Sequence, residues 1–191
     1  MASGTPERAS DRKVLVTVGT TAFDGLIEAV VRPSVVDLLR SQGYTSIRVQ
    51  YGTDIDLYKS LCNADLETAL AKSDMSISGF AYADGQTITN EIKSAELVIS
   101  HAGSGTILEC LRYQKRIIVV PNQSLMENHQ VELANEMAKL EYVINSSLAD
   151  LTSAIELSTN FQYKHFPRTG RKVFTEIVEE ELVKADKDRI Y

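Results

Sequence analysis

No stretch of this 191-residue chain approaches 18 consecutive apolar residues, so nothing in it reads as a membrane-spanning helix. Basic residues are in short supply as well: 20 Lys and Arg stand against 26 Asp and Glu, giving a net charge of −6 and a pI near 5.1. A nucleic-acid binder needs a basic face, so that class of partner is excluded. There are only two cysteines, Cys62 and Cys110, and their spacing is no metal signature. Cys110 falls among apolar helix residues and reads as a reduced, structural thiol. The first residues, MASGTPERASDRK, contain no apolar run that could act as a secretion signal, and residues 1–12 read as a disordered leader. Internal repeats and low-complexity tracts are absent.

What is present is a chain with 43% hydrophobic residues, enough for one substantial core, in alternating strand-like and helix-like segments. The run Val14 to Val18 is continuous and apolar, as in a central parallel strand. Helical spacing follows from Phe23 to Leu39, interrupted at Pro33, which restarts a second helix closed by Gly43. A second strand is expected at 47–51 and a third at 75–82. The polar region 53–73 between them has weak periodicity and reads as the least regular part. A short helix from Thr87, capped by Thr87, leads to a strand at 97–99. Another strand is expected at 117–120, a helix over about 127–140, a short strand at 142–144, and a helix capped by Ser146 or Ser147 that reaches Leu157. Residues 13–160 therefore read as one Rossmann-like α/β domain, a mostly parallel sheet of about six strands with helices on both faces. Residues 161–191 read as a flexible linker and a final helix with the apolar stripe Val173, Phe174, Ile177, Val178 and Leu182. Part of that stripe is expected to pack on the domain's own sheet, and the helix also to offer surface to a partner.

The chain centres on a βαβ unit: Leu97 to Ile99, the turn His101-Ala102-Gly103-Ser104-Gly105-Thr106, a helix, then Ile117 to Val120. Gly103 and Gly105 let a ligand approach the backbone, and the free N–H groups of the first helical turn, with Ser104 and Thr106, suit an anion. A second strand-to-helix turn, Val18-Gly19-Thr20-Thr21, would face the same cleft at the carboxyl edge of the sheet.

Several familiar chemistries fail on spacing. Gly103-Ser104-Gly105 is followed by Leu108 where a dinucleotide fingerprint needs glycine, and strand two ends in Gln50-Tyr51-Gly52 with no acidic residue, so NAD binding is excluded. Ser104 lacks the flanking glycines of a nucleophile elbow, and His101 beside it in sequence does not make a triad. The pair Asp54 and Asp56 could hold a divalent cation, but it opens a helical stretch where acidic residues serve as cap and dipole partners, and that is the reading adopted.

In that order, VTVGTT, SHAGSGTILE and PNQSLMENHQVELANEM, spread over roughly 14–142, resemble the UDP-sugar-binding half of the two-domain inverting glycosyltransferases, the MurG-like GT-B family. Within that family the chain is most similar to the donor-binding subunit of the UDP-N-acetylglucosamine transferase that acts second in lipid-linked oligosaccharide synthesis. The resemblance implies a Rossmann-like donor domain and a chain in the cytoplasm and at the cytosolic face of the endoplasmic reticulum, docked on a membrane-anchored, Alg14-like subunit that presents the lipid-linked N-acetylglucosamine acceptor. It implies no metal and no cofactor. Glu109 would grip the ribose hydroxyls, Gly103, Ser104, Gly105 and Thr106 would cradle the diphosphate with Gly19 and Thr20 opposite, and Asn128, His129 and Gln130 would read sugar hydroxyls. His129 stands where relatives often carry glutamine. For the general base the resemblance points to the partner's half; within this chain His101 is the candidate. Two other readings stay open: a nucleotide-sugar binding or regulatory module without catalysis, and a transferase for a different UDP-sugar. A self-sufficient transferase is excluded, because 191 residues leave no room for a second Rossmann domain.

Overall fold

The computed structural model describes residues 11–20, 22–122, 129–167, 170, 174 and 175. Six strands form one sheet: β1 (Lys13–Thr17), β2 (Ser46–Gln50), β3 (Ser76–Phe80), β4 (Leu97–Ser100), β5 (Arg116–Val119) and β6 (Ile144–Asn145). Their order is β3-β2-β1-β4-β5-β6 and every pairing is parallel. The chain runs outward from β1 to one edge, returns to the middle, and runs outward again. Where it reverses, between β1 and β4, the helices leave to opposite sides and a crevice opens at the carboxyl ends of the strands.

Side chains alternate across the strands, and this splits the core in two. Val14, Val16, Leu97, Ile99 and Ile118 point to one face, where α1 (Asp24–Val30), α2 (Pro33–Ser41) and α8 (Leu151–Asn160) cover them. Leu15, Val98, Ile117 and Val119 point to the other, under α5 (Gly85–Ser94), α6 (Ser104–Arg112) and α7 (His129–Lys139). Strands covered on both faces carry near-continuous apolar runs, which is why β1, β4 and β5 were plain in the sequence. Each such Val, Leu or Ile contributes about 1.5–3 kcal/mol through removal from water. Pro33 sits in the first turn of α2 and Arg32 before it has an extended ψ of 137°, so one helical stretch becomes two, as expected.

Some expectations need correction. Residues 53–73 are not irregular: they form α3 (Ile55–Leu61) and α4 (Ala64–Ala71). Helix α3 has no fully buried residue and α4 only Leu70; Leu57, Tyr58, Leu61 and Leu66 pack half-buried against the core, a stripe too short and interrupted to stand out in the sequence. Asn63 caps α4, its carbonyl oxygen accepting from the N–H groups of Asp65 and Leu66. Asp84 rather than Thr87 caps α5; its carboxylate accepts from Thr87 N at 2.7 Å. Tyr142 and Val143 belong to the turn after α7, where Glu141 adopts φ +61° and Tyr142 N bonds back to Met137 O, so β6 starts only at Ile144. Asp150 occupies the N-cap of α8 without a side-chain capping bond, and Ser147 instead accepts from Asp150 N at 3.1 Å. That helix continues past Leu157 to Asn160.

The segment after α8 lies against the domain. Phe166 is 4% exposed and meets Tyr142 edge-on. The side-chain amide of Gln114 holds it from both sides, donating to Phe166 O at 2.8 Å and accepting from Phe166 N at 3.2 Å. Phe174 is buried in the same apolar cluster, and the rest of the final stripe lies outside the described residues. At the amino edge of the sheet, Glu96 joins Arg12 and Arg116, with Arg116 also on the Tyr44 hydroxyl at 2.6 Å.

Candidate functional site

The register that pairs Thr17 with both Gln50 and Ser100 puts the ends of β1, β2 and β4 side by side. Thr17 is fully buried; its hydroxyl donates to the Gln50 side-chain oxygen and accepts from Gly19 N at 3.2 Å. Gln50 thus stands at the end of β2, where a dinucleotide site would carry an acid, and supports the β1 turn. Gly19 has φ +68°, a left-handed conformation that only glycine adopts without cost, and Thr20 beyond it is exposed.

His101 follows β4 and is 7% exposed. Its backbone N–H donates to Thr17 O at 3.1 Å, and its ring Nδ1 lies 3.4 Å from the same oxygen. A carbonyl can only accept, which places the proton on Nδ1 and leaves Nε2 bare. Burial pushes the imidazole below its usual range, with the Thr17 contact opposing it weakly, so the ring is neutral at pH 7. The Cε1–Nε2 edge lies under the Cα atoms of both Gly19 and Gly103; a methyl group at either would run into the ring. The imidazole is therefore a wedge between the two glycine turns.

Helix α6 begins directly in front of this wedge. Gly103 is its N-cap and has no side chain with which to cap, so no side chain closes the first-turn N–H groups of Ser104, Gly105 and Thr106. Ser104 and Gly105 are exposed, and among the described residues nothing lies within 4 Å of where a side chain at Gly105 would project. No acidic residue occupies that first turn. Open donors and the positive end of the helix dipole together make a receptacle for an anion.

One turn further, Glu109 has 21% of its side chain exposed. Its Oε1 accepts from the Thr89 hydroxyl at 2.8 Å and its Oε2 from Arg112 Nη1 at 3.4 Å. Beyond β5, Asn122 is 4% exposed; its Nδ2 donates to Ala22 O at 3.2 Å, and its N–H to Gln130 Oε1 at 3.4 Å. Gln130 in the first turn of α7 is thereby tied to the end of β5. A cavity of about 550 Å³ opens alongside, lined by Phe23, Asp24, Pro121, Asn122 and Leu148 among others. Asn128 lies outside the described residues, and His129 is described only as the first residue of α7.

The model of the glycosyltransferase family 28 C-terminal domain matches residues 13–181. The chain belongs to that family. Relatives include a protein of Yarrowia lipolytica named UDP-N-acetylglucosamine transferase subunit ALG13, 35% identical over 172 residues that span 87% of this chain and 83% of the relative. A protein of the same name from Cryptococcus neoformans is 34% identical over 195 residues, 87% of this chain and 94% of the relative. Among solved structures, the solution structure of ALG13 superposes with a TM-score of 0.69 at 22% identity, covering 88% of this chain and 96% of that one. MurG of Acinetobacter baumannii superposes at 0.57 and 16% identity over 90% of this chain but 51% of MurG, so the chain corresponds to about half of that protein. These likenesses place the fold with the GT-B glycosyltransferases, as the sequence motifs implied.

The fold brings Gly19, Thr20, His101, Gly103, Ser104, Gly105, Thr106 and Glu109 to the carboxyl edge around the crevice, with Gln130 bonded to its β5 side. Thr17, Gln50, Thr89 and Asn122 also stand there and were not singled out in the sequence. Asn122, after Pro121 at the head of the third motif, was the one with a local signal. Among the described residues no group of three or more His, Cys, Asp or Glu gathers, and no helix is long and apolar enough to cross a membrane. Asp54 takes the N-cap position of α3, as read, although its carboxylate makes no capping bond.

Proposed function

We propose that this chain is the UDP-N-acetylglucosamine-binding subunit of a transferase that adds the second, β-1,4-linked N-acetylglucosamine to N-acetylglucosaminyl-diphospho-dolichol in N-glycan precursor synthesis. The observation that carries the reading is the uncapped, glycine-opened N-terminus of α6 at the topological switch point, with a carboxylate one turn behind it. The spacing suits a nucleoside diphosphate: the N–H groups and the hydroxyls of Ser104 and Thr106 take the diphosphate from one side, Gly19 and Thr20 face it from the other, and Glu109 accepts from the ribose hydroxyls. Asn128, His129 and Gln130 meet the sugar. The names of the fungal relatives support the donor and the subunit character.

The reaction is an inverting displacement. The acceptor 4-hydroxyl oxygen bonds to the anomeric carbon as the bond from that carbon to the diphosphate oxygen breaks, UDP leaves with the electron pair, and the hydroxyl proton passes to a base. Charge developing on the diphosphate is stabilised by donors that already point at it. His101 spaces the two turns in this account, because its bare Nε2 faces two glycine Cα atoms, and the base comes from the acceptor half. That half is an Alg14-like, membrane-anchored subunit, and the complex works at the cytosolic face of the endoplasmic reticulum.

The test is reconstitution. Purified chain added to membranes containing the partner subunit should transfer labelled N-acetylglucosamine from UDP-N-acetylglucosamine to the lipid-linked acceptor, and neither component alone should do so. Donor binding without transfer in the complete mixture would leave a binding module and refute the transferase reading.

A further inference from the structure

The carboxylate of Glu109 has two donors of different quality. Arg112 belongs to the same helix, three residues on, with 52% of its side chain in solvent and a contact of 3.4 Å, so it is free to swing away. Thr89 comes from α5, is half-buried, and donates at 2.8 Å. In a helix a threonine divides between two χ1 rotamers, and the 2.8 Å bond to Glu109 selects one of them. A carboxylate offers about four acceptor positions, and these two donors occupy two of them.

We propose that Thr89 is a positioning residue for donor recognition. By holding Oε1 of Glu109 it sets the plane of the carboxylate so that the remaining lone pairs meet the two neighbouring hydroxyls of a ribose, and it thereby contributes to the choice of ribonucleoside over deoxyribonucleoside diphosphates. The inference rests on the reading of Glu109 as the ribose residue. Thr89 touches no substrate; it acts through Glu109 and through the packing of α5 against α6.

The experiment titrates the whole chain with UDP and with 2′,3′-dideoxyuridine diphosphate, in the wild type, Thr89→Val, Thr89→Ser, Glu109→Ala and the Thr89→Val/Glu109→Ala double variant. Valine keeps the shape and removes the hydroxyl. Thr89→Val should weaken UDP by about 3- to 10-fold, the worth of one hydrogen bond, and leave the dideoxy nucleotide unchanged. Thr89→Ser should keep the wild-type preference, and Thr89→Val should cost nothing further once Glu109 is alanine. An unchanged UDP affinity in Thr89→Val, equal weakening of both nucleotides, or a loss that persists without Glu109 overturns the proposal. The two layers separate: if Glu109→Ala leaves the ratio of the two affinities untouched, the ribose reading itself falls, whereas a changed ratio there with none in Thr89→Val removes only the positioning role.

Discussion

Gly103 and Gly105 are two residues apart, yet a methyl group would meet different surroundings at each. At 103 it collides with the His101 ring, while at 105 it meets none of the described residues. The fold therefore has no use for glycine at 105, a helical position where alanine is better by about 0.5–1 kcal/mol. Gly105→Ala is expected to raise the melting temperature slightly and to weaken UDP-N-acetylglucosamine by about tenfold or more, the methyl occupying space the diphosphate needs. A thermal melt and a donor titration on the same preparation check both signs; Gly103→Ala, by contrast, should lose stability and binding together. Glu109→Ala should leave the fold intact and cost donor use about 1.5–3 kcal/mol, read as the ratio of kcat/KM values in the reconstituted reaction. His101 gives a pH signature. Its folded pKa lies below the unfolded value of about 6.5, so the unfolded chain binds the extra proton, and stability present above that pH is lost as the pH falls below it. Urea midpoints between pH 7.5 and 5.5 should drop less in His101→Asn than in the wild type. Glu96, held low first by its bond to Arg12, contributes in a separate window, because its stabilisation is lost only as the pH falls below the usual carboxylate range. The glycines, hydroxyls and Glu109 were legible as single residues because a turn motif is local. The Thr17–Gln50 and Thr89–Glu109 pairs were not, since 33 and 20 residues separate the partners and only strand register and helix packing bring them together.

Elements were legible where burial writes a pattern. Strands β1, β4 and β5, covered on both faces, show apolar runs, and the Pro33 break announces the start of α2. Helices α3 and α4 bury only Leu70 fully and half-bury Leu57, Tyr58, Leu61 and Leu66, so the periodicity that would reveal them is weak, and the cap Asn63 marks α4. The cap of α5 was misassigned because Gly85 stands between Asp84 and the helical run; Asp84 accepts from Thr87 N, so both residues take part in one capping bond from opposite ends. The segment after α8 looked like a spacer because it carries charged residues and Pro167, whereas Phe166, strapped by Gln114, docks it on one core cluster and Phe161 and Tyr163 pack on the other. Phe166→Ala should destabilise the domain by about 3–5 kcal/mol in urea unfolding, the range for deleting a buried aromatic. Gln114→Ala should cost less, about 1–2 kcal/mol, by leaving two backbone groups of Phe166 without their partner. A free spacer would give values near zero in both variants.

At the scale of the whole molecule, the described residues form one parallel α/β domain that superposes on about half of MurG. The strand order puts the reversal between β1 and β4, and every residue proposed for the donor comes from a segment that follows a strand's carboxyl end. That arrangement was readable from the alternation of elements and the order of three motifs, since both depend on local pattern. The proposed partner surface was not, because no strand or turn pattern encodes what docks across the crevice. The account stands or falls on whether the α6 crevice selects one sugar nucleotide. Calorimetric titration of the chain, alone and with the proposed membrane-anchored subunit, against UDP-N-acetylglucosamine, UDP-glucose, UDP and GDP-mannose measures this directly. The account predicts saturable binding that is tightest for UDP-N-acetylglucosamine, weaker for UDP-glucose and absent for GDP-mannose; tighter binding of another sugar nucleotide, or no binding in either preparation, would contradict it.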